Sequence, residues 1–261
     1  MITVRNPNDF FKVGGPIARG TFEGLWHFSF DRFYDPKHFN FGTLRVFNDD
    51  IISEGGEWGI HPHKRNEVLT YVMHGEFTHE DEHGKGGTIK KGAMQHTTVG
   101  IGMFHNEINA NTSDKMRFIQ MWFFPDAEGL NPSVSQYYAA KSERMNRLLL
   151  MASKDKAAPL RIHSDVNAYT GFLENGKELV FKIQDAWGVY LANLEGGNLK
   201  VNDKTIPERG AAKIENERQI VLKHFIFYQE NHAASRLLLE VPPIHPLQEA
   251  PLSLLPCYSL S

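Results

Sequence analysis

The apolar positions of this chain fall in short runs of strand length, and polar residues often separate them singly. Pairs of glycines at Gly55-Gly56, Gly86-Gly87 and Gly196-Gly197 punctuate the runs, and prolines are scattered among them. That rhythm predicts an all-β sandwich or barrel. Runs at 43–48, 66–74, 88–89, 116–124, 179–182, 189–194, 199–201, 219–228 and 236–241 read as strands. One short helix is expected near 142–146, where a serine opens a polar stretch.

The composition shifts near 125–150, where Pro125, Gly129 and Pro132 precede a polar segment. On either side the local pattern repeats. Met73-His74-Gly75-Glu76-Phe77 is followed by Lys91-Gly92-Ala93, and Leu194-Glu195-Gly196-Gly197-Asn198-Leu199 by Arg209-Gly210-Ala211-Ala212. Each reads as a strand, a tight glycine turn, a strand and a second turn. The repetition predicts two copies of one β-barrel unit. We expect a first domain over 1–130, a second over 131–243 and a Pro- and Leu-rich tail over 244–261.

Composition narrows the class. With 261 residues and 41% hydrophobic content, the chain can bury a real core. Its net charge of −3 and lack of a basic run speak against direct nucleic-acid binding. The single cysteine, Cys257, allows no internal disulfide and suits a reducing compartment. No run of about 20 apolar residues predicts a membrane span. The first residues lack a signal-peptide core, so a cytoplasmic protein is expected.

The chemistry concentrates in two short motifs, His61-Pro62-His63 and His105-Asn106-Glu107. On a strand, residues two apart project from one face. Two such pairs facing each other could close on one metal ion, with ligands His61, His63, His105 and Glu107. Imidazole suits Fe, Cu, Ni and Zn, and a structural zinc site would more often use cysteine. Glu67 is a rival carboxylate, since alternation from His63 can turn it the same way; the plainer reading makes it an outer hydrogen-bond acceptor. With 13 histidines in the chain, one His-x-His pair has a serious chance explanation, which the second pair weakens. The cluster His79-Glu80-Asp81-Glu82-His83 reads most simply as a solvated hairpin turn. Trp58 and Met73 are candidate pocket walls, and Phe104 reads as barrel core. The second half has no His-x-His, so only the first barrel looks built for metal.

These residues resemble the pirin family of bicupins. The likeness runs through Asp31-Arg32-Phe33-Tyr34-Asp35-Pro36, Leu44-Arg45-Val46-Phe47-Asn48-Asp49-Asp50, both histidine motifs, Glu67, Thr70-Tyr71-Val72, Gly75-Glu76 and Gly86-Gly87. Softer echoes follow at Arg144-Met145-Asn146-Arg147 and Leu160-Arg161-Ile162-His163. The resemblance implies two cupin (double-stranded β-helix) barrels in tandem, with metal in the first alone, held by His61, His63, His105 and Glu107. It implies Fe(II) as the usual metal, with Zn, Mn, Cu or Ni able to occupy the same ligands. It also implies a quercetin 2,3-dioxygenase-like oxidoreductase acting on a small flavonol-type aromatic and O2. In such a reaction Glu107 is the expected catalytic residue, able to take the flavonol's proton while ligated or after partial release. The alternative it offers is a non-enzymatic, metal-dependent regulatory module that binds a protein partner. Lys64 departs from the family's usual arginine, and 244–261 does not look like the C-terminal helix of many members.

Overall fold

The computed structural model describes residues 1–82, 84–154, 157–225 and 234–243. Strands dominate, and the helical content of the described residues is three short 3-10 turns. The described chain divides into two compact units, one of 11–138 with 162–164 and one of 1–10, 139–161 and 165–243. The tail over 244–261, with Cys257, lies outside the described residues, as does His83.

The first unit has a 7-stranded and a 4-stranded sheet. The larger runs in the order Ser133–Tyr138, Ala93–Thr98, Glu67–His74, Met116–Phe123, Leu44–Ile52, Thr21–Trp26 and Phe11–Pro16. The smaller runs His61–His63, Met103–Ile108, Glu76–Asp81 and Gly86–Lys90. Alternating side chains of the large sheet fill the interior. Ile52, Val72, Phe77, Ile89, Ala93, Met116 and Phe118 form one apolar cluster. Val46, Val68, Val99, Met103 and Trp122 form another. Between the two sets, along the same strands and faces, fall the polar residues Asn48, Asp50, Thr70 and Gln120. This polar stretch is where a functional site can be built.

The second unit repeats the plan. Its 4-stranded sheet runs Glu178–Lys182, Gln219–Phe225, Asn198–Val201, Lys204–Ile206. In both small sheets the first strand pairs with the last, and the last with the second. The repetition seen in the glycine turns is therefore a repetition of topology. The strands that carry His61, His63 and His105 in the first barrel correspond to Glu178–Lys182 and Gln219–Phe225 in the second. There Leu179, Phe181, Ile220 and Leu222 pack with Val189, Leu191 and Leu238 in a dry core.

The strand expectations at 43–48, 66–74, 88–89, 116–124, 179–182, 189–194, 199–201 and 236–241 each fall on a strand, with ends differing by a few residues. Of 219–228, the described part is Gln219–Phe225. The helix expected over 142–146 is instead a single 3-10 turn, Lys141–Arg144. Asn146 takes a left-handed φ of 55°, which stops helix propagation. The strand Arg147–Ser153 begins immediately afterwards.

Phe118 is 1% exposed at the centre of the first apolar cluster. We expect Phe118→Ala to destabilise the protein by about 3–5 kcal/mol, mostly through the cavity left behind. Urea unfolding measures this, and a loss below about 1 kcal/mol would show that the layer is not tightly packed.

Candidate metal centre

The two histidine motifs meet as neighbours in the small sheet. His61–His63 pairs antiparallel with Met103–Ile108, which sets His61 opposite His105 and His63 opposite Met103. Pro62 has no N–H to give to a ladder, and the strand it occupies is the outer strand of that sheet, where a missing donor is tolerated. With Pro62 turned out, the flanking imidazoles turn in. Ligand nitrogens of His61, His63 and His105 lie within 4.8 Å of one another. His63 and His105 are buried, and His61 is partly exposed, so the group opens towards solvent on the His61 side.

Outer hydrogen bonds fix the ring tautomers. His61 Nδ1 is 2.7 Å from the carbonyl of Gly59, so it must donate, leaving the lone pair on Nε2. Gly59 has a φ of 98°, and a Cβ there would come within 2.9 Å of Ala18. The backbone presenting that carbonyl therefore requires glycine. Asn106, the middle residue of the second motif, supports the same loop: its Oδ1 accepts from Gly59 N at 2.9 Å and its Nδ2 donates to Glu57 at 2.6 Å. His105 Nδ1 lies 2.7 Å from His79 Nε2. The other ring nitrogen, His105 Nε2, is buried with no hydrogen-bond partner. An orphaned buried nitrogen costs on the order of 1–3 kcal/mol, which a coordinated cation would offset. The donor set thus fits a borderline divalent transition metal.

Burial sets the protonation of this group. Desolvation holds His63 and His105 well below the ordinary histidine range, and neighbouring imidazoles push the same way. Burial also lowers His61, against the bond to Gly59. All three rings are neutral at pH 7, as a ligand must be.

Glu107 follows His105 by two residues on the same strand, but it does not belong to the group of nitrogens within 4.8 Å. It is buried, and its Oε1 accepts from Gln120 Nε2 at 2.5 Å. Gln120 Oε1 in turn accepts from Trp122 Nε1 at 2.9 Å, which fixes the orientation of the amide. Trp122 also meets the His63 ring edge-on at 4.6 Å. Burial pushes the Glu107 carboxyl up to about 7, partly opposed by Gln120. Asp50, on the neighbouring large sheet, is also buried, and desolvation raises its pKa well above the carboxylate range, against the Trp26 hydrogen bond.

Glu67 has other work. Its Oε2 accepts from His96 Nε2 at 2.6 Å, Thr98 Oγ1 at 3.3 Å and the backbone N–H of His163 at 3.0 Å.

Two sequence readings need correction. His79 is not in a solvated turn: it is 1% exposed in the strand Glu76–Asp81, directly behind His105. The turn begins at Asp81, whose carbonyl accepts from Gly84 N. A polar-looking string hid the alternation, in which Phe77 and His79 face inward and Glu80 outward. Phe104 is not core but 53% exposed, because it alternates with His105 and pairs opposite Pro62. Trp58 packs on the apolar cluster of Ile52, Val72 and Phe77. His79 and Asn106 were the missed contributors. The spacing of two residues between Phe77 and His79 was the available signal for the first.

Because His79 orients a ligand without being one, His79→Ala should weaken metal binding by about 10- to 100-fold while leaving a single site. Chelator competition measures this, and an unchanged affinity would show that His105 needs no such support.

A chain of two barrels of this topology, with an imidazole cluster inside the first, is a bicupin. The pirin family model matches residues 11–123, and a model described as the quercetinase C-terminal cupin domain matches 149–241. A quercetin 2,3-dioxygenase of Escherichia coli K12 is 30% identical over 224 residues, covering 84% of this chain and 91% of that protein. A pirin-like protein of Caulobacter vibrioides is 32% identical over 215 residues, covering 82% and 91%. Among solved structures, Escherichia coli YhhW superposes with a TM-score of 0.83 at 28% identity, covering 94% of this chain and 99% of that one. The same bacterial pirin in complex with nickel(II) gives 0.81 at 28% identity, covering 94% and 100%. The chain belongs to the pirin family. No helix among the described residues is long and apolar enough to cross a membrane.

Proposed function

We propose that this protein is a metal-dependent dioxygenase that opens flavonol-type aromatics such as quercetin with O2. The observation that carries the reading is the cluster of three imidazoles beside a buried carboxyl, in a chain whose relative in Escherichia coli K12 is named quercetin 2,3-dioxygenase. His61, His63 and His105 would hold the ion, with Glu107 as fourth ligand or as its neighbouring base. Fe(II) is the metal we assign, and the nickel(II) complex of the bacterial pirin supports a site tolerant of other divalent ions. A divalent ion there would supply a Lewis-acidic centre that lowers the pKa of a hydroxyl brought to it.

The chain's own residues supply the rest. Glu107, a buried carboxyl beside the imidazoles, is placed to take the proton from a flavonol hydroxyl and return it. Gln120, fixed by Trp122, keeps the carboxylate oriented. The apolar cluster of Val46, Val68, Val99 and Met103 around Trp122 excludes water from an oxygen-sensitive carbanion-like substrate. The partly exposed side at His61 is the approach for a planar ligand.

The test is anaerobic reconstitution with Fe(II), Mn, Cu, Ni and Zn in turn, then addition of quercetin and O2 with detection of carbon monoxide. Turnover with at least one metal is expected. Its absence with every metal, in protein shown to be loaded, overturns the flavonol reading.

A further inference from the structure

One wall of the first barrel's interior carries polar groups that no neighbour uses. Asn48 and Thr70 stand on either side of Gln120 in the register of three adjacent strands. Opposed residues share a face and lie about 5 Å apart, so the three form one row. Gln120 is spent, since it donates to Glu107 Oε1 and accepts from Trp122. Asp50 follows Asn48 by two residues on the same strand and turns to the same face. Through Gln120 this wall reaches Glu107, which shares a strand with His105.

The neighbours of Asp50 build a seat for its carboxyl. Trp26 Nε1 donates to Oδ1 at 3.1 Å. Gly24 is its cross-strand partner, and a Cβ there would come within 2.1 Å of the same oxygen. The missing side chain at 24 is therefore what gives the carboxyl its space. Its other oxygen, Oδ2, has no hydrogen-bond partner among the described residues, and neither has Thr70 Oγ1 or Glu107 Oε2. None of these three atoms is sealed from solvent, whereas Asn48 Oδ1 is enclosed without a partner. Room for a water-sized group thus adjoins an oxygen of Asp50, of Thr70 and of Glu107. Burial is the first cause of the raised Asp50 pKa and the Glu107 charge a lesser one, which places the two carboxyls near each other.

The group that suits these oxygens is a hydroxyl. It both donates and accepts, so it answers the threonine and answers the Asp50 carboxyl in either protonation state. A flavonol bound to the ion through its 3-hydroxyl and 4-carbonyl carries one more polar group on that edge, the 5-hydroxyl beside the carbonyl. We infer, granted the dioxygenase reading, that Asp50 and Thr70 set substrate specificity by hydrogen-bonding the hydroxyl beside the chelating carbonyl. The substrate class narrows to 5-hydroxyflavonols. A 5-deoxy compound displaces water from the two oxygens and leaves them unpaired.

The test uses the full chain loaded with nickel(II), without O2, and reads binding instead of turnover. Equilibrium dialysis compares quercetin with fisetin, which lacks only the 5-hydroxyl. We expect the parent to prefer quercetin by about tenfold. Thr70→Val keeps the side-chain shape, Asp50→Ala removes the carboxyl, and each should cut the preference by about threefold or more. The two flavonols differ equally in their own affinity for nickel whichever protein is used, so the change in ratio isolates the wall. A parent that does not distinguish them, or that binds neither, overturns the inference, as does the parental ratio in both variants. Thr70→Val decides alone if Asp50→Ala does not fold. Carbon monoxide release by a parent with a ratio near one would overturn this inference and leave the dioxygenase reading standing. A ratio of about ten that falls in the variants, without carbon monoxide release under any metal, would uphold the wall and overturn the dioxygenase reading.

Discussion

His63→Ala loses divalent metal by more than about 100-fold, beyond the roughly 10- to 100-fold expected when only an outer partner is removed. His63 is 8% exposed, meets Trp122 edge-on and lies within 4.8 Å of the other two imidazole donors. Removing it leaves two imidazoles opposed across one pair of strands, a weaker and more open donor set. The fold should survive, because the strand His61–His63 is the outer member of its sheet and contributes little of the core. Chelator competition measures the affinity, and circular dichroism checks the fold. A variant that is folded and holds metal as tightly as the parent overturns the ligand assignment.

Glu107→Gln gives the second large effect, and its signature is a changed dependence on pH. In the metal-free protein the Glu107 carboxyl titrates at about 7 instead of 4.5, because burial disfavours its charge. Metal must displace that proton. Parent affinity is therefore level above about pH 7 and falls as pH drops below it, by up to about tenfold per unit for one linked proton. The glutamine variant loses most of this slope, since burial lowers all three histidines, His63 and His105 well below their ordinary range. Stability moves in the opposite sense. A carboxyl whose folded pKa is raised costs the native state about 1.4 kcal/mol per pH unit as pH rises from 4.5 to about 7, with the full cost present above that. Metal-free Glu107→Gln should thus be more stable than the parent above pH 7. If it still binds metal, turnover should fall by about 10²- to 10⁴-fold, the usual contribution of a positioned base. Unchanged turnover would remove Glu107 from the chemistry.

Much of this molecule can be read from its sequence for a physical reason. Period-2 alternation brings His61, His63 and His105 to one face, and the glycine turns disclose the repeat that places them in the first of two barrels. Three things resisted. The strand Ile2–Arg5 alternates but is only four residues long, and Phe11–Pro16 loses its alternation at Gly14, Gly15 and Pro16, in an outer strand that needs few ladder bonds. Arg144 is 2% exposed despite its polar surroundings, because its guanidinium reaches the carbonyl of Ala139 and the hydroxyl of Thr170. His79 is buried inside a run of charges, where composition points to solvent and only tertiary pairing with His105 shows otherwise.

The proline between the two histidines has a consequence for company as well as for chemistry. An outer strand is an open invitation, since its free N–H and C=O groups can recruit a stray extended peptide or another copy of the chain. At Pro62 the strand nearest the imidazoles has one donor fewer to offer, and the ring obstructs a peptide laid alongside. The motif that gathers the ligands therefore also keeps the rim of that sheet from being zipped to a neighbour, leaving the approach to the cluster free for small molecules.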